Sequence, residues 1–219
     1  ETENSIKGVF TAKKDMTMSK FILKGDRDFA RAELGVGNKP LIISMGGSLG
    51  AKPVNDAVFG LILNKYKDND CVFLHATGKN AEQFKADLKE KGVNLSENPH
   101  VRIVEYIDIP KCLAAAGLVI CRSGASTLSE LQALGKPSVL IPSPYVTENH
   151  QYHNAMALVD NGAAEILEEK DLTADLLTER VNALLSDKSK LEEIGRNAKK
   201  MAVVDATKRI YDTLCEIMK

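Results

Sequence analysis

The sequence predicts an α/β protein: a Rossmann-like, doubly wound parallel sheet of about six strands, followed by a C-terminal helical segment. Three observations predict it. Short β-branched runs recur from Lys39 onward, amphipathic segments separate them, and the runs are continuously apolar rather than alternating. Continuous apolar runs mark strands buried on both faces, and strand–helix repetition produces right-handed βαβ crossovers.

The elements follow in order. Strands are expected at 40–45, 71–76, 101–107, 118–121, 138–142 and 163–167, with helices near 52–66, 79–91, 109–116, 125–135 and 148–161. After Leu167 the strands stop and three helices follow, with Thr173 and Asp187 placed as N-caps. Residues 1–38 differ: IKGVFTA reads as one strand, KKDMTMSK has no period, and GDRDFARAELGV reads as a helix with Gly35 near its C-terminal cap. The chain therefore divides into an N-terminal segment 1–38, a ligand-binding domain 39–167 and helices 168–219 packing on it.

Composition narrows the function. The 219 residues carry 29 basic and 30 acidic side chains, a net charge of −1, which gives no overall pull toward nucleic acid or anionic lipid. Cys71, Cys112, Cys121 and Cys215 are scattered without a CxxC pair, which points to a reducing, cytoplasmic setting and away from zinc. No apolar run approaches the ~20 residues of a membrane span, and the N-terminus lacks a charged-then-apolar signal pattern. Membrane contact is expected to be peripheral only.

Open parallel sheets bind ligands beyond the carboxyl ends of their strands. The first strand runs into Gly46-Gly47-Ser48-Leu49-Gly50-Ala51, with Asn55 at the start of the next helix. Glycines let a backbone approach a phosphate, and a helix N-terminus offers N–H groups and a favourable dipole. An empty strand–helix junction would use the same residues. Neither GxGxxG with its later acid nor GxxxxGK[ST] is present, so dinucleotide and ATP readings lose ground.

The fourth strand is followed by Arg122-Ser123-Gly124-Ala125-Ser126-Thr127, with Glu130 one turn further in. That order suits a phosphate at the helix start and a ribose diol on the carboxylate; taken alone, a capped helix with a solvent-facing Glu explains it as well. Two such turns in one sheet shift the balance toward a nucleotide diphosphate. After the fifth strand, Asn149, His150, Gln151 and His153 crowd a helix start with groups that both donate and accept, as sugar hydroxyls require. His150 and His153 have no clustered carboxylate or cysteine, so no metal is expected. His75 and Thr77 form another polar turn after the second strand, where a lone histidine is more often structural.

GGSLGA…N, HATGK, EYIDIP, CRSGASTLSE, GKPSVLIPSPYVTENHQYHNA and DNGAAEIL occur here in that order. Together they resemble the C-terminal half of the bacterial N-acetylglucosaminyltransferases that make lipid II from lipid I, peptidoglycan enzymes of the inverting GT-B type. The resemblance runs from about Phe21 to the end. It implies a donor site for UDP-N-acetylglucosamine with no cofactor. Gly47, Ser48, Leu49 and Gly50 would meet the phosphates, as would Ala125, Ser126 and Thr127 at their helix start. Ile107 would offer backbone groups to uracil with Tyr106 nearby, Glu130 would take the ribose hydroxyls, and His150 and Gln151 would read the sugar.

Two departures accompany it. The family's GGTGGH loop, with its presumed catalytic histidine and the acceptor site, is not in this chain, so the base and lipid I contacts are expected from an N-terminal domain at the cytoplasmic membrane face. AKKDMTMSK stands where the family has Gly-Asn-Pro-Val-Arg, leaving its phosphate-contacting arginine unmatched; Ser19 and Lys20 near that position receive no role. The chain thus resembles an excised donor domain, inactive alone, with one strand of the other half. Two other functions remain: a non-catalytic nucleotide-sugar module that needs a separate acceptor subunit, and half of a UDP-sugar epimerase. The Gly-Ala-Ser-Thr and His-Gln signatures favour the transferase.

Overall fold

A computed structural model describes residues 26–218. The expected strand at IKGVFTA and the divergent segment before Phe21 lie outside the described residues. Helix α1 (Arg27–Leu34) starts at Asp26, whose carboxylate accepts from the Phe29 N–H over 2.9 Å, and ends at Gly35 in the left-handed conformation (φ 57°). Arg31 then anchors the run toward the sheet, its guanidinium donating to the Ala115 carbonyl over 2.9 Å and to that of Gly37.

The sheet strands are β1 (Leu41–Met45), β2 (Val72–Ala76), β3 (Val101–Val104), β4 (Leu118–Cys121), β5 (Ser138–Leu140) and β6 (Glu165–Ile166). All pair parallel in the order β3-β2-β1-β4-β5-β6. The connecting helices are α2 (Lys52–Lys65), α3 (Ala81–Glu90), α4 (Ile109–Ala115), α5 (Ala125–Leu134) and α6 (His150–Val159). Three more follow β6: α7 (Ala174–Ser186), α8 (Lys188–Lys200) and α9 (Ala206–Ile217).

Each face of the sheet carries its own core. Leu41, Ile43, Val119 and Leu140 pack with Ala30 of α1, Leu113 of α4, Leu131 of α5 and Leu158 of α6. Ile42, Phe73, Ile120 and Val139 face the other way, onto Leu61 of α2, Leu88 of α3 and Leu177, Val181 and Leu184 of α7. Burying each of the larger of these side chains contributes about 1.5–3 kcal/mol. Helix α8 serves both cores, with Ile194 in one and Ala198 in the other. Thr173 and Asp187 cap α7 and α8 through their side chains, as expected.

Three expectations change. The strand expected over 101–107 stops at Val104, because the last residue of β2 to pair with it is Ala76 and Glu105 and Tyr106 turn outward into solvent. The helix expected from 148 starts at His150, since Glu148 and Asn149 adopt left-handed backbone (φ 53° and 50°). Of the three C-terminal helices expected to pack on the domain, α7 and α8 contribute buried side chains and α9 contributes none. No helix among the described residues is long and apolar enough to cross a membrane.

Candidate functional site

Strand order reverses between β1 and β4, so the helices after these two strands lie on opposite faces, the switch point at which open α/β sheets place their ligands. Register places the loops on one edge: Met45 pairs with Ala76 on one side and with Cys121 on the other, and Cys121 pairs with Leu140. The turns 46–51, 77–80, 122–125 and 141–149 therefore all leave the sheet at its carboxyl edge.

Helix starts differ in how they are capped; α3 has no side-chain cap but carries Glu82 in its first turn, and α9 has neither a cap nor a first-turn acid. Helices α1, α4, α7 and α8 begin under an Asp or Thr side chain that accepts from a first-turn N–H. Helices α2, α5 and α6, which follow β1, β4 and β5, have no side-chain cap and no acidic residue in the first turn. Their leading N–H groups and positive dipole ends are left for an anion. Gly124 is the N-cap of α5, with Ala125 and Ser126 exposed and Thr127 half-buried behind it.

The turn after β1 is held by close packing. Gly50 sits at φ 76°, and a Cβ there would lie 2.2 Å from the Thr77 carbonyl oxygen. A Cβ on Gly78 would lie 2.7 Å from the carbonyl carbon of Leu49. Glycine is required on both sides of this contact. The Asn55 amide donates to the Thr77 carbonyl over 3.0 Å and ties α2 to the same turn. With that support beneath them, Gly47, Ser48 and Leu49 stand exposed, Leu49 at 77%.

A second set of bonds fixes the turns after β4 and β5. The Ser123 hydroxyl donates to the Gln151 carbonyl over 2.7 Å, and the Asn154 amide donates to the Ser123 carbonyl over 3.2 Å. The Ser143 N–H donates to the Gln151 side-chain oxygen over 3.0 Å. Arg122 donates to the Ile141 and Pro142 carbonyls at 3.1 Å each and pairs with Glu169. None of these bonds uses Glu130, a half-buried carboxyl that burial pushes upward. Burial, and then the Glu130 charge, push the Cys121 thiol up to about 12, which locates that carboxylate near the carboxyl end of β4.

Several sequence candidates turn inward. His75 and Thr77 are fully buried and Asn55 nearly so. His75 Nδ1 lies 2.9 Å from the Ser44 hydroxyl, and burial lowers its pKa to about 4, so the ring is neutral and internal. The Thr77 hydroxyl donates to the Gly78 carbonyl over 2.9 Å. Ser123 is likewise buried beneath the edge. These four support the loops rather than line the surface. Tyr106 and His150 are exposed, Ile107 is half-buried, and the His150 Nδ1 lies 2.9 Å from the Thr147 carbonyl. Sequence reasoning passed over Glu169 and Asn154; the only signal was an arginine in an otherwise small-residue turn, which needed a counter-charge once its side chain went inward. Among the described residues no group of three or more His, Cys, Asp or Glu is placed to hold a metal ion.

A six-stranded parallel sheet with a switch point between β1 and β4 and helices on both faces defines a Rossmann-like α/β domain. The chain belongs to the glycosyltransferase family 28 C-terminal domain family, which matches residues 41–210. It is 44% identical over 200 residues to a UDP-N-acetylglucosamine–N-acetylmuramyl-(pentapeptide) pyrophosphoryl-undecaprenol N-acetylglucosamine transferase of Acetivibrio thermocellus, covering 90% of this chain and 53% of that protein. An enzyme of the same description from Ruminiclostridium cellulolyticum is 39% identical over 90% of this chain and 54% of that protein. Acinetobacter baumannii MurG superposes with a TM-score of 0.70 at 26% identity, over 88% of this chain and 54% of that one. The chain thus spans about half the length of the relatives it matches.

Proposed function

We propose that the carboxyl edge binds UDP-N-acetylglucosamine, and that the chain is the donor-binding half of an inverting N-acetylglucosaminyltransferase that converts lipid I to lipid II. The observation that carries this reading is the pair of uncapped helix starts, α2 and α5, flanking the β1/β4 switch point. The relatives' shared description as transferases of this sugar adds the substrate class.

In this reading the diphosphate lies between the Gly47–Gly50 turn and the start of α5 at Ala125–Thr127. Glu130 accepts from the ribose diol, the backbone at Ile107 meets uracil beside Tyr106, and the exposed His150 and the loop held by Gln151 face the sugar, with Asn149 beside them. The acceptor's sugar hydroxyl attacks the anomeric carbon as the bond to UDP breaks, so configuration inverts. The departing phosphate's charge falls on preorganised N–H dipoles, which cost no reorganisation as the charge develops. The proton goes to a base outside the described residues, on an N-terminal acceptor domain or subunit that also holds lipid I at the cytoplasmic membrane face. The donor is held without a metal or cofactor.

Calorimetry of the chain with UDP, UDP-N-acetylglucosamine and UDP-glucose tests the reading, with and without EDTA. UDP should supply most of the affinity, the N-acetylated sugar should bind better than glucose, and EDTA should change neither. Absence of UDP binding overturns the assignment.

A further inference from the structure

The opposite edge of the sheet holds a second cavity. Pro40, Gly117 and Pro137 directly precede β1, β4 and β5, and α8 closes over them to leave a cleft of about 850 Å³. That lies within the ~300–1,000 Å³ of small-molecule sites. The strands run parallel and β1 alone spans five residues, roughly 16 Å at the rise of a strand, so one ligand cannot occupy both edges.

Charge singles the cleft out. Arg27, Lys136, Lys188, Arg196 and Lys199 line it against one carboxylate, Glu192, in a chain whose net charge is −1. Glu192 is already shared, at 3.9 Å from both Lys188 and Arg196. Lys199 donates to the Ala133 carbonyl, at the C-terminal end of α5. Lys136 is 8% exposed, and its ammonium donates to the Ala114 carbonyl over 2.7 Å and the Ala116 carbonyl over 3.1 Å. An ammonium has three donors, so one remains beyond these two bonds. Burial, then the nearby Arg27 and Arg31, lower the Lys136 pKa to about 7. The cations at this edge therefore repel one another, and an anion among them would relieve that repulsion.

We propose that this cleft is a second ligand site, for a molecule bearing a phosphate or diphosphate group, separate from the carboxyl-edge site. Leu134 and Leu191 give it apolar wall for an organic portion beside the anion. A free phosphate compound and an anionic lipid headgroup share this chemistry. The inference stands independently of what the carboxyl edge binds.

Glycines report the two edges separately: Gly117, Gly135 and Gly195 line the cleft, whereas Gly47, Gly50 and Gly124 lie in the carboxyl-edge turns. The ¹⁵N-labelled full chain is titrated with inorganic pyrophosphate and followed by amide NMR. Saturable shifts are expected at Gly117, Gly135 and Gly195. The double variant Arg27→Gln/Arg196→Gln, at two exposed positions, should weaken them at least fivefold and leave the response of Gly47, Gly50 and Gly124 unchanged. Arg27→Lys/Arg196→Lys should retain most of the binding. No saturable shift at the cleft glycines, or equal affinity in the Gln variant, overturns the proposal. A second arm separates the sources through sedimentation with phosphatidylglycerol-containing or pure phosphatidylcholine vesicles. Binding to the anionic vesicles alone, competed by pyrophosphate and lost in the Gln variant, assigns a headgroup; pyrophosphate binding without sedimentation assigns a free phosphate compound.

Discussion

The Ser123 hydroxyl donates to the Gln151 carbonyl over 2.7 Å, so the turn after β4 and the start of α6 move as one piece. Ser123 is buried, so its contribution to any ligand is through position. Ser123→Ala should cost about 0.5–1.5 kcal/mol of stability, the scale for losing one intramolecular hydrogen bond. UDP affinity should stay within about twofold, while the preference for UDP-N-acetylglucosamine over UDP-glucose should fall. Denaturant melts and paired calorimetric titrations read both effects, and a large loss of UDP affinity would instead make Ser123 a phosphate contact.

Glu130 is a half-buried carboxyl in the first turns of α5 that none of the loop-fixing bonds uses. Glu130→Ala should weaken UDP binding by about 1–3 kcal/mol, the range for hydrogen bonds to a charged group. The loss should shrink sharply when 2′-deoxy-UDP replaces UDP, because the ribose partner is then already missing. Unchanged UDP affinity would refute the ribose role.

His75 gives a pH signature. Its pKa is lowered by burial to about 4, against about 6.5 for an exposed histidine. Between those values the unfolded chain binds more protons than the folded one, so stability should fall as pH drops from about 6.5 toward 4. His75→Asn, which cannot titrate there, should flatten that slope even if it lowers stability throughout. An unchanged slope, measured by chemical denaturation at successive pH values, would show that the ring charges without cost in the fold.

The chain alone should transfer no N-acetylglucosamine to a short-chain lipid I analogue at a useful rate. Orienting donor and acceptor together is worth roughly 7–11 kcal/mol, and this half can orient only the donor. A general base typically adds another 10²–10⁴-fold or so. Adding a separately produced N-terminal domain should restore turnover. Efficient transfer without it would place a base among these residues, with the exposed His150 and His153 the first to replace.

The sequence revealed the sheet because burial on both faces leaves a visible mark: PLIISM and SVLIP are apolar at every position except one serine each, next to last in the first and leading in the second. Helix caps were equally visible where the chemistry is local, as at Thr173 and Asp187. What it concealed was direction. His75, Thr77, Asn55 and Ser123 read as edge residues by their place near the strand ends, yet each side chain turns inward to a partner from another segment, Thr77 to the Val104 carbonyl. Nothing in one-dimensional order fixes that choice, which depends on packing between segments distant in sequence, as where Gly50 meets Gly78. Left-handed backbone at Glu148 and Asn149 was hidden for a similar reason, since neither residue is a glycine.

The pairing of β1 with β4 joins distant parts of the chain. These adjacent strands are separated in sequence by the whole excursion through α2, β2, α3, β3 and α4. Contacts so distant along the chain form slowly, because closure entropy must be lost before any pairing is gained. The β1–β2–β3 portion can zip up from near neighbours, but the switch point exists only once β4 has docked against β1. A nascent or partly opened chain therefore holds only one of the two turns proposed to meet the diphosphate. A ligand seated there would act as a clasp across a seam joined from distant parts of the chain.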